Sequence, residues 1–596
     1  MKSPLLRSTV LLAGCLTLNV SAVQQRAESR RFIRVNQLGY LTGAPKVAVL
    51  CTLDSVPRVT FTVRDATGRI MVRRFASSLG SFAACRSTYR LNFTEVTRSG
   101  TYRIQVAGAE PATFRVGDSV YVGAADSLLA YMRQQRSGWN PVFKDSVHRY
   151  DGVIVDHPAL GGTTVKVSGG WADASDYLQY VTTSATATYA MLAALRDFPN
   201  AFADRHTTNG SEGSNNIPDV LDEANHGLDW LLRMYPGGNT LFNQIADDRD
   251  HAYFDLPATD SVDYGWGKGR ARPVYPCTGK SQGLLKYKNR STGWASTAGK
   301  YASAFALAAR VQRDRNPTLA RLLRERAEKA YALGLGHPGV CQTAPAGAPY
   351  FYEEDNWVDD MELAAAELAV GTADSLRFIR AGLDYAAREK ITPWMGADTA
   401  SHYQWYPFMN FGHAVLSDLV TKVQRDTLTR YYREGIAATV RRAKNGFRIG
   451  VPFIWCSNNL VVAFATQAML YRAMSGGDQR YREYEQAAID WLFGVNPWGV
   501  SMFIGLGTNS PRDPHSVVAD QLGVRLLTGG LVDGPVYRSI FGNLLGVRLR
   551  NADEYATFNT GFIVYHDDLG DYSTNEPTMD GTASAVWLLA ALAPRR

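Results

Sequence analysis

Between residues 32 and 116 the chain reads as short apolar or alternating runs divided by turn residues. Val47-Ala-Val-Leu-Cys51, Val59-Thr-Phe-Thr-Val63, Ile70-Met-Val72, Tyr89-Arg-Leu-Asn-Phe93 and Thr101-Tyr-Arg-Ile-Gln-Val106 predict strands. Asp65-Ala-Thr-Gly68 predicts a hairpin loop between two of them. Strands at this spacing predict a small all-β sandwich over residues 32–117. After Asp118 the texture changes. Leu178, Val181, Ala185, Tyr189, Leu192 and Leu195 fall on one face of a helix that begins near Asp176. Helical periods recur at 217–232, 296–311, 318–333, 361–370, 375–388, 428–442, 459–474, 481–493 and 580–592. Helix following helix with short links predicts paired helices over 118–596 rather than a parallel sheet, so the fold class is mainly α with a β module in front.

Composition adds little to that picture. At 596 residues, with 45% hydrophobic and 20% charged positions, the chain is long enough for two ordinary globular domains. Lys plus Arg exceeds Asp plus Glu by 63 to 56. The excess is spread out, and its densest run, Arg430 to Arg448, reads as a solvated helical face. No basic stripe with interleaved aromatics predicts a nucleic-acid partner. No later stretch has the unbroken apolar length of a transmembrane helix.

The first 22 residues have the layout of an export signal, with Lys2 and Arg7, an apolar run over 10–20, and Val20-Ser21-Ala22 as a small-residue cleavage site. Leu12-Ala13-Gly14-Cys15 also resembles a lipoprotein box, in which Cys15 would carry a lipid anchor. Arg7 leaves only a short apolar run before it, which favours plain secretion, to the exterior or the periplasm, over surface attachment. Without Cys15, the cysteines are Cys51, Cys85, Cys277, Cys341 and Cys456. An odd number at irregular spacing does not predict a disulfide framework, although one pair such as Cys51 with Cys85 stays open.

Candidate chemistry begins at Gly169-Gly-Trp-Ala-Asp173-Ala-Ser175-Asp176-Tyr177. Carboxylates three apart at the mouth of a helix reach one pocket. The same spacing suits a capping residue and its partner at the third helical position, and on these residues alone that reading is the simpler one.

This stretch resembles the base-bearing motif of family 9 glycoside hydrolases, the inverting cellulase family. Further segments resemble the family in the same order. Ile33-Arg-Val-Asn-Gln-Leu-Gly-Tyr40 is similar to the start of the immunoglobulin-like module that precedes some of its catalytic domains. Ile217-Pro-Asp-Val-Leu-Asp-Glu223 to Leu232, Phe493-Gly-Val-Asn-Pro497, Pro511-Arg-Asp-Pro-His515 and Gly529-Gly-Leu-Val-Asp-Gly-Pro535 follow. Asp571-Tyr-Ser-Thr-Asn-Glu576 resembles its acid-bearing motif. The resemblance implies an (α/α)6 barrel that cleaves β-1,4-glucosidic bonds in cellulose or a related β-glucan. It implies Asp176 as general base, Asp173 as its partner and Glu576 as proton donor. His515, Arg512, Trp455 and Tyr572 are implied as sugar-binding residues. No cofactor is required for that chemistry.

A structural calcium is common in the family, and Asp355, Asn356, Asp359 and Asp360 lie where its ligands would fall, though capping acids before the helix at 361 explain them equally well. Two departures stand out. Ser516 and Val517 replace the His and Arg of the usual Pro-His-His-Arg, and Cys456 replaces the glycine of Trp-Gly-Ser-Asn. The first keeps an exo-acting β-glucosidase or β-glucosaminidase on the same fold as an alternative. A carbohydrate-binding protein without turnover is the alternative outside the enzyme class. Trp357, Trp498 and Tyr565 join Trp455 and Tyr572 as candidates for stacking on sugar rings.

Overall fold

The computed structural model describes residues 30–594, so the export signal and Cys15 lie outside the described residues. The chain opens with a sandwich of two antiparallel sheets. One sheet contains β1 (Arg31–Arg34), β2 (Val47–Thr52) and β5 (Ser87–Asn92), in the order β1-β2-β5. The other contains β3 (Arg58–Asp65), β4 (Ile70–Ser77), β6 (Gly100–Val106) and β7 (Ala112–Val116), in the order β4-β3-β6-β7. Alternate residues Phe61, Val63, Tyr102, Ile104 and Phe114 point inward against Ala48, Leu50, Tyr89 and Leu91. β2 has no polar face. All of it is buried, because Ala48 and Leu50 enter the sandwich core while Val49 and Cys51 enter the core of the helical domain.

Twelve of the helices from residue 124 onward form a double ring: α1 (Ala124–Gln134), α2 (Val181–Asp197), α3 (Asp219–Met234), α4 (Ala295–Gln312), α5 (Pro317–Gly336), α6 (Val358–Ala369), α7 (Ser375–Glu389), α8 (Gly412–Ser417), α9 (Lys422–Arg442), α10 (Ser457–Met474), α11 (Arg482–Leu492) and α12 (Met579–Leu592). Helices α2, α4, α6, α8, α10 and α12 touch in that order, and α12 closes back on α2. Each carries an outer partner: α3 on α2, α5 on α4, α7 on α6, α9 on α8, α11 on α10 and α1 on α12. This is the (α/α)6 barrel.

Sequence decides which helices go inside. α2, α4, α10 and α12 are buried almost all round and rich in Ala, Ser and Thr, whereas α3 and α7 bury one stripe and expose charge. Small residues let inner helices approach closely. A Cβ on Gly299 of α4 would stand 2.7 Å from the backbone of Asp360 in α6.

The module is joined to the barrel by polar and aromatic contacts. Asn36 donates to Asp490 of α11 at 2.8 Å, Gln37 donates to the Gly499 carbonyl at 2.9 Å, and its side-chain oxygen accepts from Thr508 and Asn509. Phe82 lies edge-on to Trp491 with ring centroids 6.4 Å apart. Among the described residues there are two disulfides, Cys51–Cys85 and Cys277–Cys341, and Cys456 is free and buried. The odd cysteine count therefore conceals two bridges and one unpaired thiol, which spacing alone does not separate. No helix of the described residues is long and apolar enough to cross a membrane.

Candidate active site

The segments leading into four inner helices meet at one end of the barrel. Asp173 and Asp176 precede α2, Tyr352 precedes α6, Trp455 precedes α10, and Glu576 precedes α12. The first pair stands off the helix rather than capping it. α2 begins at Val181, its N-cap is Tyr180, and a short strand, Gln179–Tyr180, separates it from the acids. A helix beginning near Asp176 is thus corrected by five residues, and both carboxylates are freed from capping.

Asp173 is buried. One of its oxygens accepts from Thr183 Oγ1 at 2.7 Å and the other from the Tyr352 hydroxyl. Burial, then Asp176, then Asp580 push its pKa well above the usual carboxylate range. Asp176 remains partly accessible. Its Oδ1 accepts the Leu178 N–H at 3.0 Å and its Oδ2 lies 3.5 Å from His251 Nε2. Burial disfavours the His251 cation, but the bond to Asp176 and the charges of Asp176 and Asp250 outweigh it, pushing His251 up to about 9.

Glu576 meets the first stretch directly. The Ser175 backbone N–H (3.0 Å) and the Ser175 hydroxyl both donate to Glu576 Oε1. Burial raises the Glu576 pKa; His515 opposes this and the charge of Asp176 reinforces it. Two acids 400 positions apart in sequence (576 minus 176) are therefore held in one site, in different electrostatic settings. Behind them lie Asp533 and Asp580, both buried. Burial lifts Asp580 to about 6, and burial plus Glu576 lift Asp533 well up.

The implied sugar-binding residues divide. His515 Nδ1 bonds the Leu569 carbonyl, and its ring lies 5.3 Å from Phe254 and 6.0 Å from Tyr572. Trp455 is locked by its Nε1, which donates to Asp533 Oδ2 at 2.9 Å, and its ring tilts at 30° to Tyr572, 5.5 Å away. These form a continuous wall beside Glu576. Arg512 does not join it, because its exposed guanidinium pairs with Glu554 and its backbone N–H with Asp567. Trp498 and Tyr565 are core residues, and Trp357 packs edge-on against Tyr385. Ser516 caps the helix Val517–Leu522 with its hydroxyl, and Val517 is buried, so neither projects toward sugar.

Asp355, Asp359 and Asp360 do not converge on one ion. Asp360 Oδ2 takes the Lys300 ammonium at 2.6 Å, which also bonds Glu354, and Asp355 accepts from Gln342 and Gln404. Asp359 keeps one buried oxygen without a hydrogen-bond partner. Among the described residues no group of three or more His, Cys, Asp or Glu side chains gathers as a metal site. The donor set does not fit calcium, because Lys300 already supplies the positive charge.

Sequence reasoning missed Ser175, Tyr352, Asp250, Asp533 and Phe254. Asp250 accepts the Tyr177 N–H at 2.7 Å, and Phe254 is 40% exposed, extending the wall from the loop that carries His251. Ser175 and Asp533 fall inside the motifs Gly169 to Tyr177 and Gly529 to Pro535, which carried a family likeness but assigned these two residues no role.

Residues 121–589 match the profile of glycosyl hydrolase family 9, and residues 28–111 match that of the cellulase N-terminal immunoglobulin-like domain. Endoglucanase C of Cellulomonas fimi is 26% identical over 617 residues, covering 94% of this chain, which spans about half (52%) of that relative's length. A xyloglucan-specific endo-β-1,4-glucanase of Bacteroides ovatus is 26% identical over 600 residues, covering 94% of this chain and 93% of the relative. The crystal structure of a metagenome-derived family 9 endoglucanase superimposes with a TM-score of 0.73 at 26% identity, over 94% of this chain and 99% of the other. A family 9 profile that runs from helix α1 into helix α12 takes in both acid-bearing loops, and the chain belongs to glycosyl hydrolase family 9.

Proposed function

We propose that the protein is an endo-acting, inverting glycoside hydrolase that cleaves β-1,4 bonds within a glucan chain, with Asp176 as general base and Glu576 as general acid. The contact of Ser175 with Glu576 carries the reading, because it holds the donor against the residue preceding the base. An inverting hydrolase protonates the departing oxygen with one carboxylic acid while a second carboxylate takes a proton from water on the opposite face of the ring. A protonated donor needs a raised pKa, which burial gives Glu576. A base needs a positive partner for the proton it gains to be passed on and the water to be held, and His251, pushed up to about 9, stands 3.5 Å from Asp176 Oδ2. Asp173 holds a place in the floor of the site through Thr183 and Tyr352 and assists the water. Trp455, Tyr572 and Phe254 offer apolar faces to pyranose rings.

The names of the relatives support a β-1,4-glucan backbone as substrate. Two disulfides support an oxidising compartment, and hence export, with a lipid anchor at Cys15 as the further option.

Glu576→Gln tests the assignment. Hydrolysis is expected to vanish while oligosaccharide binding, measured by calorimetry, survives; a wild-type rate would remove Glu576 from the chemistry. Digestion of cello-oligosaccharides tests the mode. A ladder of products is expected, and release of monomer alone would favour the exo-acting alternative instead.

A further inference from the structure

We propose that Ser175 is a positioning residue for the general acid, fixing the catalytic proton on Oε2 of Glu576 and stabilising the carboxylate left when that proton departs. The inference rests on the reading of Glu576 as proton donor.

Glu576 Oε1 receives two donors from one residue, the Ser175 backbone N–H at 3.0 Å and the Ser175 hydroxyl. An oxygen whose lone pairs accept two hydrogen bonds has no favourable position left for a proton, so the acidic hydrogen belongs on Oε2. Ser175 is itself held still. Gln135 Nε2 donates to the carbonyls of Ala172 (3.2 Å) and Ala174 (2.5 Å), and the Leu178 N–H ties down Asp176 on the other side. The donors are thus in place before substrate arrives, as a preorganised site requires.

The proton balance follows. The proton on Oε2 passes to the glycosidic oxygen as its bond to the anomeric carbon breaks, and the bonding pair stays with that oxygen. Glu576 is left as a carboxylate, and its negative charge is shared with Oε1. Both bonds from Ser175 become charge-assisted at that moment, and so strengthen in the transition state more than in the ground state. Water, losing a proton to Asp176, completes the anomeric centre.

A hydrogen bond that favours the charged form lowers a pKa. Ser175 therefore keeps burial from raising Glu576 so far that it would cease to be a useful acid. Both backbone and hydroxyl contribute, but only the hydroxyl depends on the side chain.

The test compares Ser175→Ala, Ser175→Gly and Ser175→Thr with Glu576→Gln as reference, on cellotetraose and on 2,4-dinitrophenyl β-cellobioside, whose leaving group needs no proton. On cellotetraose, Ser175→Ala and Ser175→Gly are expected to lose about tenfold in kcat, with KM within about twofold. On the dinitrophenyl substrate the loss should stay within about twofold, because acid assistance is not needed there. The alkaline limb of the kcat profile should move to higher pH in both variants, and Ser175→Thr, which keeps the hydroxyl, should return it. Equal losses on both substrates, or an alkaline limb that stays where it was, overturn the proposal and leave Ser175 a packing residue. Should Glu576→Gln itself turn over cellotetraose at the wild-type rate, the fault lies with the identity of the acid rather than with Ser175.

Discussion

The backbone N–H of Met579 donates to the carbonyl of Asp173 across 2.9 Å. The first residue of the last inner helix is thus bound to the loop that enters the first, and the ring closes at the site itself. Asp173 is anchored at both ends, since its carboxyl accepts from Thr183 and Tyr352. Burial and the charge of Asp176 both disfavour a negative charge on Asp173 and push its pKa upward. Asn is neutral, of the same shape and able to donate. Asp173→Ala is expected to lower kcat about 100-fold or more, and Asp173→Asn to retain about tenfold more activity than the alanine variant. Purified variants with matched melting temperatures provide the comparison, and indistinguishable losses would argue that Asp173 works as an anion.

The second prediction concerns the cation beside Asp176. His251 lies 3.5 Å from that carboxylate and, against the cost of burial, is pushed up to about 9, so its positive charge is lost as pH rises through that value. Replacing it with neutral glutamine removes the charge from the site at every pH. His251→Gln is expected to lower kcat/KM about tenfold at neutral pH, and by less above about pH 9, where His251 of the parent is itself neutral. A loss of the same size at every pH would point to a rearranged site instead.

A third prediction follows from the buried triad of Lys300, Glu354 and Asp360, in which the ammonium lies 2.6 Å from Asp360 and all three side chains are about 3% exposed. Removing one partner of such a group leaves uncompensated charge in a medium that solvates it poorly. Lys300→Met should cost about 3–5 kcal/mol in denaturant unfolding. Adding Glu354→Gln and Asp360→Asn should recover a good part of the loss, since the stranded charges are then gone. A Lys300→Met variant as stable as the parent would mean that the acids take up protons at no cost.

How far the sequence revealed this molecule depends on the range of the interaction. The strand runs and helical periods were legible because burial repeats locally, and 375–388 against the observed Ser375–Glu389 shows how closely. The start of α2 was misread because Asp173-Ala-Ser-Asp176 carries a capping pattern that tertiary contacts override. Asp173 bonds Tyr352, and Ser175 bonds Glu576, neither of which is near in sequence. The meeting of Asp176 and Glu576 rested on motif likeness alone, for no periodicity spans 400 residues. Ser175 escaped notice because it sits unmarked between two acids, and Arg512 was included although its charge is spent on Glu554. The second disulfide was missed for a related reason, since Cys277 and Cys341 are brought together by a fold that spacing does not encode.

The last prediction belongs to the junction between module and barrel. Asp490, buried on α11, accepts from Asn36 of the module at 2.8 Å and from Gln486 at 2.9 Å. Burial raises its pKa from 3.8 to about 7, against the pull of those two bonds and of Arg90 and Arg482. A raised carboxyl pKa means that the folded state holds a proton that the unfolded state has released. Stability from this group is therefore complete below about pH 4 and declines as pH rises toward 7, by on the order of 4 kcal/mol in all. Asp250 and Asp580, raised to about 7 and about 6, lose stability over overlapping ranges, so the total slope has several contributors. Asp490→Asn keeps an acceptor for Asn36 and removes the titration. Its unfolding free energy, followed from pH 4 to pH 7, should fall less steeply than that of the parent. A parallel slope would mean that the charge at this junction is paid for in both states, through the approach of Arg90 and Arg482, and that the module docks by its apolar face and backbone bonds without help from the proton on Asp490.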